Sequence, residues 1–244
     1  MASMVDGPKE GLSLPRLLCL HGGGTNGRIF RAQCRVLRAQ LKKSFRLVFV
    51  DAPWPSEPGP EVESVYGNAD WGPFRSWLAH ADQLQLTATE WGTITGVLSA
   101  AISKDDKLGA TGAVVGLLGF SQGARMAASL LLDQQMGNQI ADNNHQYRFA
   151  ILLAGRGPLL LSPGRDLNPV NQPQLELPTV HVHGLQDPNL QAHRELFLRW
   201  CKAETRFLVE WDGGHRVPIT THDVAAVVTQ LTTVAAHAGV SVDC

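Results

Sequence analysis

Three residues that together can attack a carbonyl lie far apart in this 244-residue chain: Ser121, Asp187 and His215. A serine hydroxyl is a weak nucleophile until a histidine takes its proton, and that histidine needs an acid to hold its ring. Ser121 sits in Gly119-Phe120-Ser121-Gln122-Gly123, between the apolar run Val114-Val115-Gly116-Leu117-Leu118 and the helix-forming Ala124-Arg125-Met126-Ala127-Ala128. That pattern reads as a nucleophile elbow, a sharp strand-to-helix turn whose two glycines let strand and helix approach. The N–H of Gln122, at the start of the new helix, would face an oxyanion formed on a substrate. The competing reading is an ordinary turn in which Ser121 only caps the helix.

The order of the partners favours the elbow. In the α/β-hydrolase architecture the acid and then the histidine follow the serine. Asp187 lies just past the apolar stretch Leu177-Pro178-Thr179-Val180-His181-Val182-His183-Gly184, and His215 lies in Asp212-Gly213-Gly214-His215 just past Arg206-Phe207-Leu208-Val209-Glu210-Trp211. Ligands of open α/β sheets bind outside the carboxyl ends of the strands, so all three residues are expected on one edge. Asp212 is the fallback acid, close in sequence to His215, and Asp223 reads as a first-turn helix charge. Of the other histidines, His181 and His183 are expected to face the two packed sides of their strand. His193, His222 and His237 fall on helical stretches, with solvated or capping roles.

A glycine loop completes the set. The strand-like Leu14-Pro15-Arg16-Leu17-Leu18-Cys19-Leu20 runs into His21-Gly22-Gly23-Gly24-Thr25-Asn26-Gly27. Successive glycines let backbone N–H groups reach a small anion, so Gly23, with Gly24 next, is expected to supply the second oxyanion donor beside Gln122. His21 is expected to brace the loop by a hydrogen bond. A dinucleotide cradle is the alternative, since Gly22, Gly24 and Gly27 meet its spacing and Asp51 follows a strand; it leaves the later Ser, Asp and His placements unexplained.

The elements that must position these residues alternate. Strands are expected near 15–20, 45–51, 113–119, 149–154, 178–183 and 205–211, and helices near 28–43, 87–103, 122–136, 190–201 and 220–237. Helix-length segments between strands imply one α/β domain over 1–244, with a mostly parallel sheet covered on both faces. Two irregular insertions, about 52–86 and 155–177, read as lid or pocket segments. The first carries Trp71, Phe74 and Trp77, expected either to contact an acyl group or to pack onto the scaffold.

In combination, Leu18-Cys19-Leu20-His21-Gly22-Gly23-Gly24-Thr25-Asn26-Gly27-Arg28-Ile29-Phe30, Phe49-Val50-Asp51-Ala52-Pro53-Trp54-Pro55, Gly119-Phe120-Ser121-Gln122-Gly123 and the His183, Asp187 and His215 segments resemble the fungal serine hydrolase family. These are small α/β-hydrolases related to the lovastatin-pathway thioesterase. The resemblance spans about residues 14–237. It implies Ser121 as nucleophile, Asp187 as acid and His215 as base, without metal or organic cofactor. It further implies hydrolysis of an ester or thioester, with an acyl chain on a polyketide synthase's acyl carrier protein as substrate and that synthase as a transient partner in secondary metabolism. Gln122 departs from relatives that carry an acidic residue there. A carboxylesterase of small soluble esters would use the same residues, and a non-catalytic ligand-binding protein of the same fold is a third reading.

Composition bounds the rest. A formal net charge of −1 offers no electrostatic case for nucleic acid or an anionic membrane. The sequence has no signal-peptide pattern and no apolar run of membrane-spanning length, which makes the cytoplasm the expected location. Cys19, Cys34, Cys201 and Cys244 form no metal or redox spacing and read as buried free thiols. Oligomeric state is left open by these features.

Overall fold

The computed structural model describes residues 11–67, 69–80, 83–137, 145–164 and 173–241. In chain order its elements are β1 (Arg16–Leu20), α1 (Gly27–Gln33), α2 (Arg35–Leu41), β2 (Arg46–Val50), β3 (Trp54–Pro55), α3 (Pro60–Tyr66), β4 (Arg75–Ser76), α4 (Ala88–Lys107), β5 (Val114–Phe120), α5 (Gln122–Gln135), β6 (Phe149–Leu153), β7 (Thr179–Gly184), α6 (Leu190–Glu195), β8 (Arg206–Trp211) and α7 (Thr221–His237). Six strands form one sheet in the order β2-β1-β5-β6-β7-β8, and every pairing in it is parallel. Their carboxyl ends therefore share one edge. The order reverses between β1 and β5, which makes that edge a topological switch point where ligands of such sheets bind.

Side-chain alternation splits the core into two layers, one on each face. Leu18, Leu20, Leu117, Ala150 and Leu152 pack with α4 and α5. Their neighbours Leu17, Cys19, Leu118, Phe149 and Ile151 pack with α1, α2 and α7. Helix α4 buries Ile94, Leu98 and Ile102, a stripe at helical spacing, and starts with a capping box between Thr87 and Glu90. The central helix α5 is buried all along Gly123–Asp133, a run of mostly small and apolar side chains that also encloses Arg125 and Asp133.

The expected strands and helices are present, with two departures. The helix expected over 28–43 breaks at Cys34 (φ −81°, ψ 13°), whose N–H turns back to Phe30 and Ala32. The helix expected over 190–201 ends at Glu195 and continues as a π-helical turn at Leu196–Trp200. The 52–86 insertion is more regular than its prolines suggest, with α3 and a short antiparallel β3–β4 pair inside it. In the second insertion, residues 165–172 lie outside the described set. Cys19, Cys34 and Cys201 are buried free thiols, and Cys244 lies outside the described residues. Among the described residues no helix is long and apolar enough to cross a membrane.

At the opposite sheet edge, charge does the fastening. Arg46 of β2 meets Asp105 of α4 at 2.6 Å, and Arg16 of β1 meets Asp106 at 2.6 Å and Asp105 at 3.4 Å. Arg16 and Asp105 are almost fully buried, so removing the carboxylate takes an ion pair from each guanidinium, while Arg16 keeps Asp106. Asp105→Ala is expected to cost about 3–5 kcal/mol in urea unfolding, measured against an exposed control such as Glu204→Ala.

Candidate active site

Ser121 joins β5 to α5 with φ 53° and ψ −115°, a region that L-residues rarely occupy and that costs about 1–3 kcal/mol. The surroundings impose it. A Cβ on Gly119 would lie 2.4 Å from the Gly123 carbonyl oxygen, and one on Gly123 would lie 2.1 Å from that of Leu20. The Ser121 N–H is tied to the Leu153 carbonyl at 2.9 Å, while the N–H groups of Ala124 and Arg125 return to the Ser121 carbonyl. Among the described residues the Gln122 N–H has no acceptor. It is left available at the helix start.

From Ser121 a line of hydrogen bonds runs to Asp187. His215 Nε2 lies 2.9 Å from Ser121 Oγ, and His215 Nδ1 lies 2.7 Å from Asp187 Oδ2. Three residues separated by up to 94 positions thus meet. Their two loops are laced together by Leu185 N–H to the Trp211 carbonyl and Gln186 N–H to the Gly213 carbonyl, both 2.9 Å. Asp187 receives a further bond at Oδ1 from the Asn189 N–H at 2.8 Å. Burial pushes its carboxyl up, but the bonds from Asn189, His193 and His215 hold it below the usual carboxylate range. The fallback Asp212 is exposed and takes a bond from Gln186 Nε2 at 2.6 Å, whereas Asp187 is the one that meets His215.

The glycine loop lies beside the elbow because β1 pairs with β5. A Cβ on Gly22 would stand 3.6 Å from that of Ser121. The Gly24 N–H is spent on the Arg75 carbonyl at 3.0 Å, which removes it as a second donor; the Gly23 N–H has no acceptor among the described residues. His21 braces the loop as expected. Its Nδ1–H donates to the Gly22 carbonyl at 2.7 Å and its Nε2 accepts from the Ala52 N–H at 3.0 Å. Burial lowers it to about 4, so it is neutral near pH 7. A dinucleotide cradle fits poorly, because Asp51 Oδ1 already accepts the Gly27 N–H at 2.8 Å.

With this geometry in view, a family model described as "Serine hydrolase (FSH1)" matches residues 12–227. The chain belongs to that family. A protein of Aspergillus terreus named "Probable esterase" is 55% identical over 231 residues, 90% of this chain and 88% of the relative. "Esterase citA" of Monascus ruber is 47% identical over 249 residues, 93% and 95% of the two chains. Among solved structures, Zea mays acyl-protein thioesterase 2 superposes with a TM-score of 0.56 at 18% identity over 93% and 96% of the chains, a likeness of fold. The α/β-hydrolase fold and a serine hydrolase are thereby established.

Several residues of this serine hydrolase differ from their expected roles. Trp77 is fully buried, with its Nε1–H donated to the His21 carbonyl at 2.9 Å, and packs into the scaffold. Trp71 and Phe74 are half-buried, and Trp71 lies under the Arg28 guanidinium at 4.4 Å. Gln122 uses its side chain to hold the first insertion, its Oε1 accepting from the Trp77 N–H at 2.7 Å. Arg125, one turn into α5, clasps both insertions through the Pro158 carbonyl (2.7 Å) and the Gln83 carbonyl (3.1 Å). Its guanidinium is pulled down to about 10, mainly by burial.

The histidines hold two corrections. His181 and His183 do not face opposite sides; residues two apart on a strand share a face, and both rings lie against Phe197, at 5.1 and 6.3 Å. His193 is neither solvated nor a cap. It is fully buried and bonds Asp187 Oδ2 at 2.9 Å through Nε2 and the Gly155 carbonyl at 2.9 Å through Nδ1. The donor atoms of Asp187, His193 and His215 lie within 4.8 Å of one another, the spacing of a metal site. The bonded pairs, at 2.7 and 2.9 Å, are tighter than the roughly 3.3 Å between neighbouring ligands of a tetrahedral zinc, and match shared protons. The helical position of His193, six residues after Asp187, offered no signal, because α6 first had to fold back over β7.

Buried neutral histidines set an acid limit on stability. Burial lowers His21 and His183 to about 4 and His181 well below its usual value, while the unfolded chain takes up these protons near pH 6.5. Between those values the unfolded state binds more protons, so stability falls as pH drops. Urea unfolding at pH 5 is expected to show a loss of about 2 kcal/mol for each such histidine, as an upper bound, relative to pH 7. Stability that held or rose over this interval would contradict the assignment.

Proposed function

We propose that Ser121 of this serine hydrolase is the nucleophile for ester or thioester hydrolysis through an acyl-enzyme. His215 Nε2 takes the Ser121 proton as Oγ attacks the acyl carbonyl, and Asp187 holds the imidazole in position. The N–H groups of Gln122 and Gly23 receive the oxyanion. Collapse of the tetrahedral intermediate expels the alcohol or thiol, which takes its proton from His215. Water, deprotonated by the same ring, then releases the acid and restores Ser121. The observation that carries this reading is the unbroken bonding from Ser121 Oγ through His215 to Asp187 at 2.9 and 2.7 Å.

For substrate, the resemblance in sequence supports a polyketide-type acyl chain, delivered as a thioester on a synthase's acyl carrier protein. Trp71 and Phe74 are the aromatic side chains proposed to meet it. The second reading is a carboxylesterase of small soluble esters, favoured by relatives named only as esterases.

Two outcomes are expected. A fluorophosphonate probe labels the parent protein, and Ser121→Ala abolishes labelling; label persisting elsewhere in the variant would sink the nucleophile assignment. Carrier-bound acyl thioesters turn over with at least ten-fold higher kcat/KM than soluble thioesters of the same acyl group, and equal values would favour the plain carboxylesterase.

A further inference from the structure

His193 makes two hydrogen bonds that a neutral imidazole cannot make together. The Gly155 carbonyl oxygen, 2.9 Å from Nδ1, can only accept, and so can the Asp187 carboxylate, 2.9 Å from Nε2. With a single ring proton, one bare nitrogen lone pair would face an oxygen lone pair in a site where His193 and Asp187 are both fully buried. A proton on Asp187 would relieve that clash. It conflicts with the N–H groups of Asn189 and His215, which converge on the carboxylate and favour its charged form.

We propose that His193 is a positioning residue that is doubly protonated at neutral pH, clamping Asp187 together with His215. The inference rests on the reading of Ser121, His215 and Asp187 given above. The groups facing His193 are consistent with a charge there. Asp187 is its counterion. His183 of β7, with its ring centroid 5.8 Å away, has no hydrogen-bond partner at either nitrogen among the described residues and stays neutral, pushed down by burial and then by His193. Arg194, next on α6, is neutralised by Glu210 of β8 at 2.9 Å. From the loop after β6 comes the Gly155 carbonyl. The His215 ring stacks on His193 at 5.9 Å and 22°.

The charge changes the proton economy of the site. With a neutral neighbour, transfer from Ser121 to His215 would create a cation fully compensated by Asp187. Here Asp187 already balances His193, so the proton taken by His215 gives the three-residue cluster a net positive charge. A proton held by His215 in that cluster passes on to a leaving group more readily. Asp187, bonded by Asn189, His193 and His215, also cannot swing away from the relay.

The test replaces His193 with Gln, which keeps a donor of similar reach and removes the charge. In His193→Gln the acidic limb of the kcat/KM profile is expected to move up by about one pH unit, so that activity at the foot of that limb falls about ten-fold more than on the alkaline plateau. A profile lowered equally at every pH would reduce His193 to a packing role and overturn the proposal. Independently of activity, nitrogen-15 NMR of the histidine-labelled parent at pH 7.5 is expected to show one ring, in contact with both His183 and His215, carrying protons on both nitrogens. A bare nitrogen on that ring overturns the proposal even if His193→Gln fails to fold. Should Ser121→Ala retain the probe label, the functional reading fails while the NMR result still decides the state of His193.

Discussion

The rest of the site depends on a backbone-to-backbone crossing, where the first turn of α5 passes against the end of β1. With any side chain at Gly123 the Leu20 carbonyl would be struck at 2.1 Å, and with one at Gly119 the α5 backbone would be struck at 2.4 Å. That closeness forces the chain to reverse at Ser121 in a conformation costing about 1–3 kcal/mol. The same crossing sets the Gln122 N–H beside the glycine loop, because β1 and β5 are neighbours in the sheet. One steric constraint therefore fixes the angle of Ser121, the helix start and the adjacent loop together.

Around it the protein spends polar groups on rigidity. His21 locks the glycine loop to Ala52, Gln122 holds the β4 segment, and Arg125 ties both insertions to the helix that follows Ser121. The loops of Asp187 and His215 are joined by backbone bonds as well as by their side chains. Since these anchors are spread over both insertions, the position of Ser121 is coupled to segments far from it in sequence. Preorganisation of this kind keeps the donors in place without reorganisation as charge develops.

Much of this was legible in the sequence. The strand pattern, the elbow glycines, and the placement of Asp187 and His215 past strand ends follow from local rules, because parallel strands deliver their carboxyl ends to one edge. What was not legible depends on which side chains tertiary contact buries. Trp77 and Trp71 share one segment, yet one is sealed in the core and the other lies half-buried under Arg28. His193 resembles any surface helix residue until α6 packs on β7 and closes it over Asp187. The misreading of His181 and His183 had a different origin, since the two-residue period of a strand already assigns them to one face.

The most direct test of the account is the structure of the protein after reaction with a phosphonate ester, whose tetrahedral phosphorus imitates the acyl-transfer intermediate. Phosphorus bonded to Ser121 Oγ, with its anionic oxygen about 2.7–3.1 Å from both the Gln122 and Gly23 nitrogens, is the predicted result. Phosphorus on another residue, or an oxygen turned away from those two N–H groups, would contradict it.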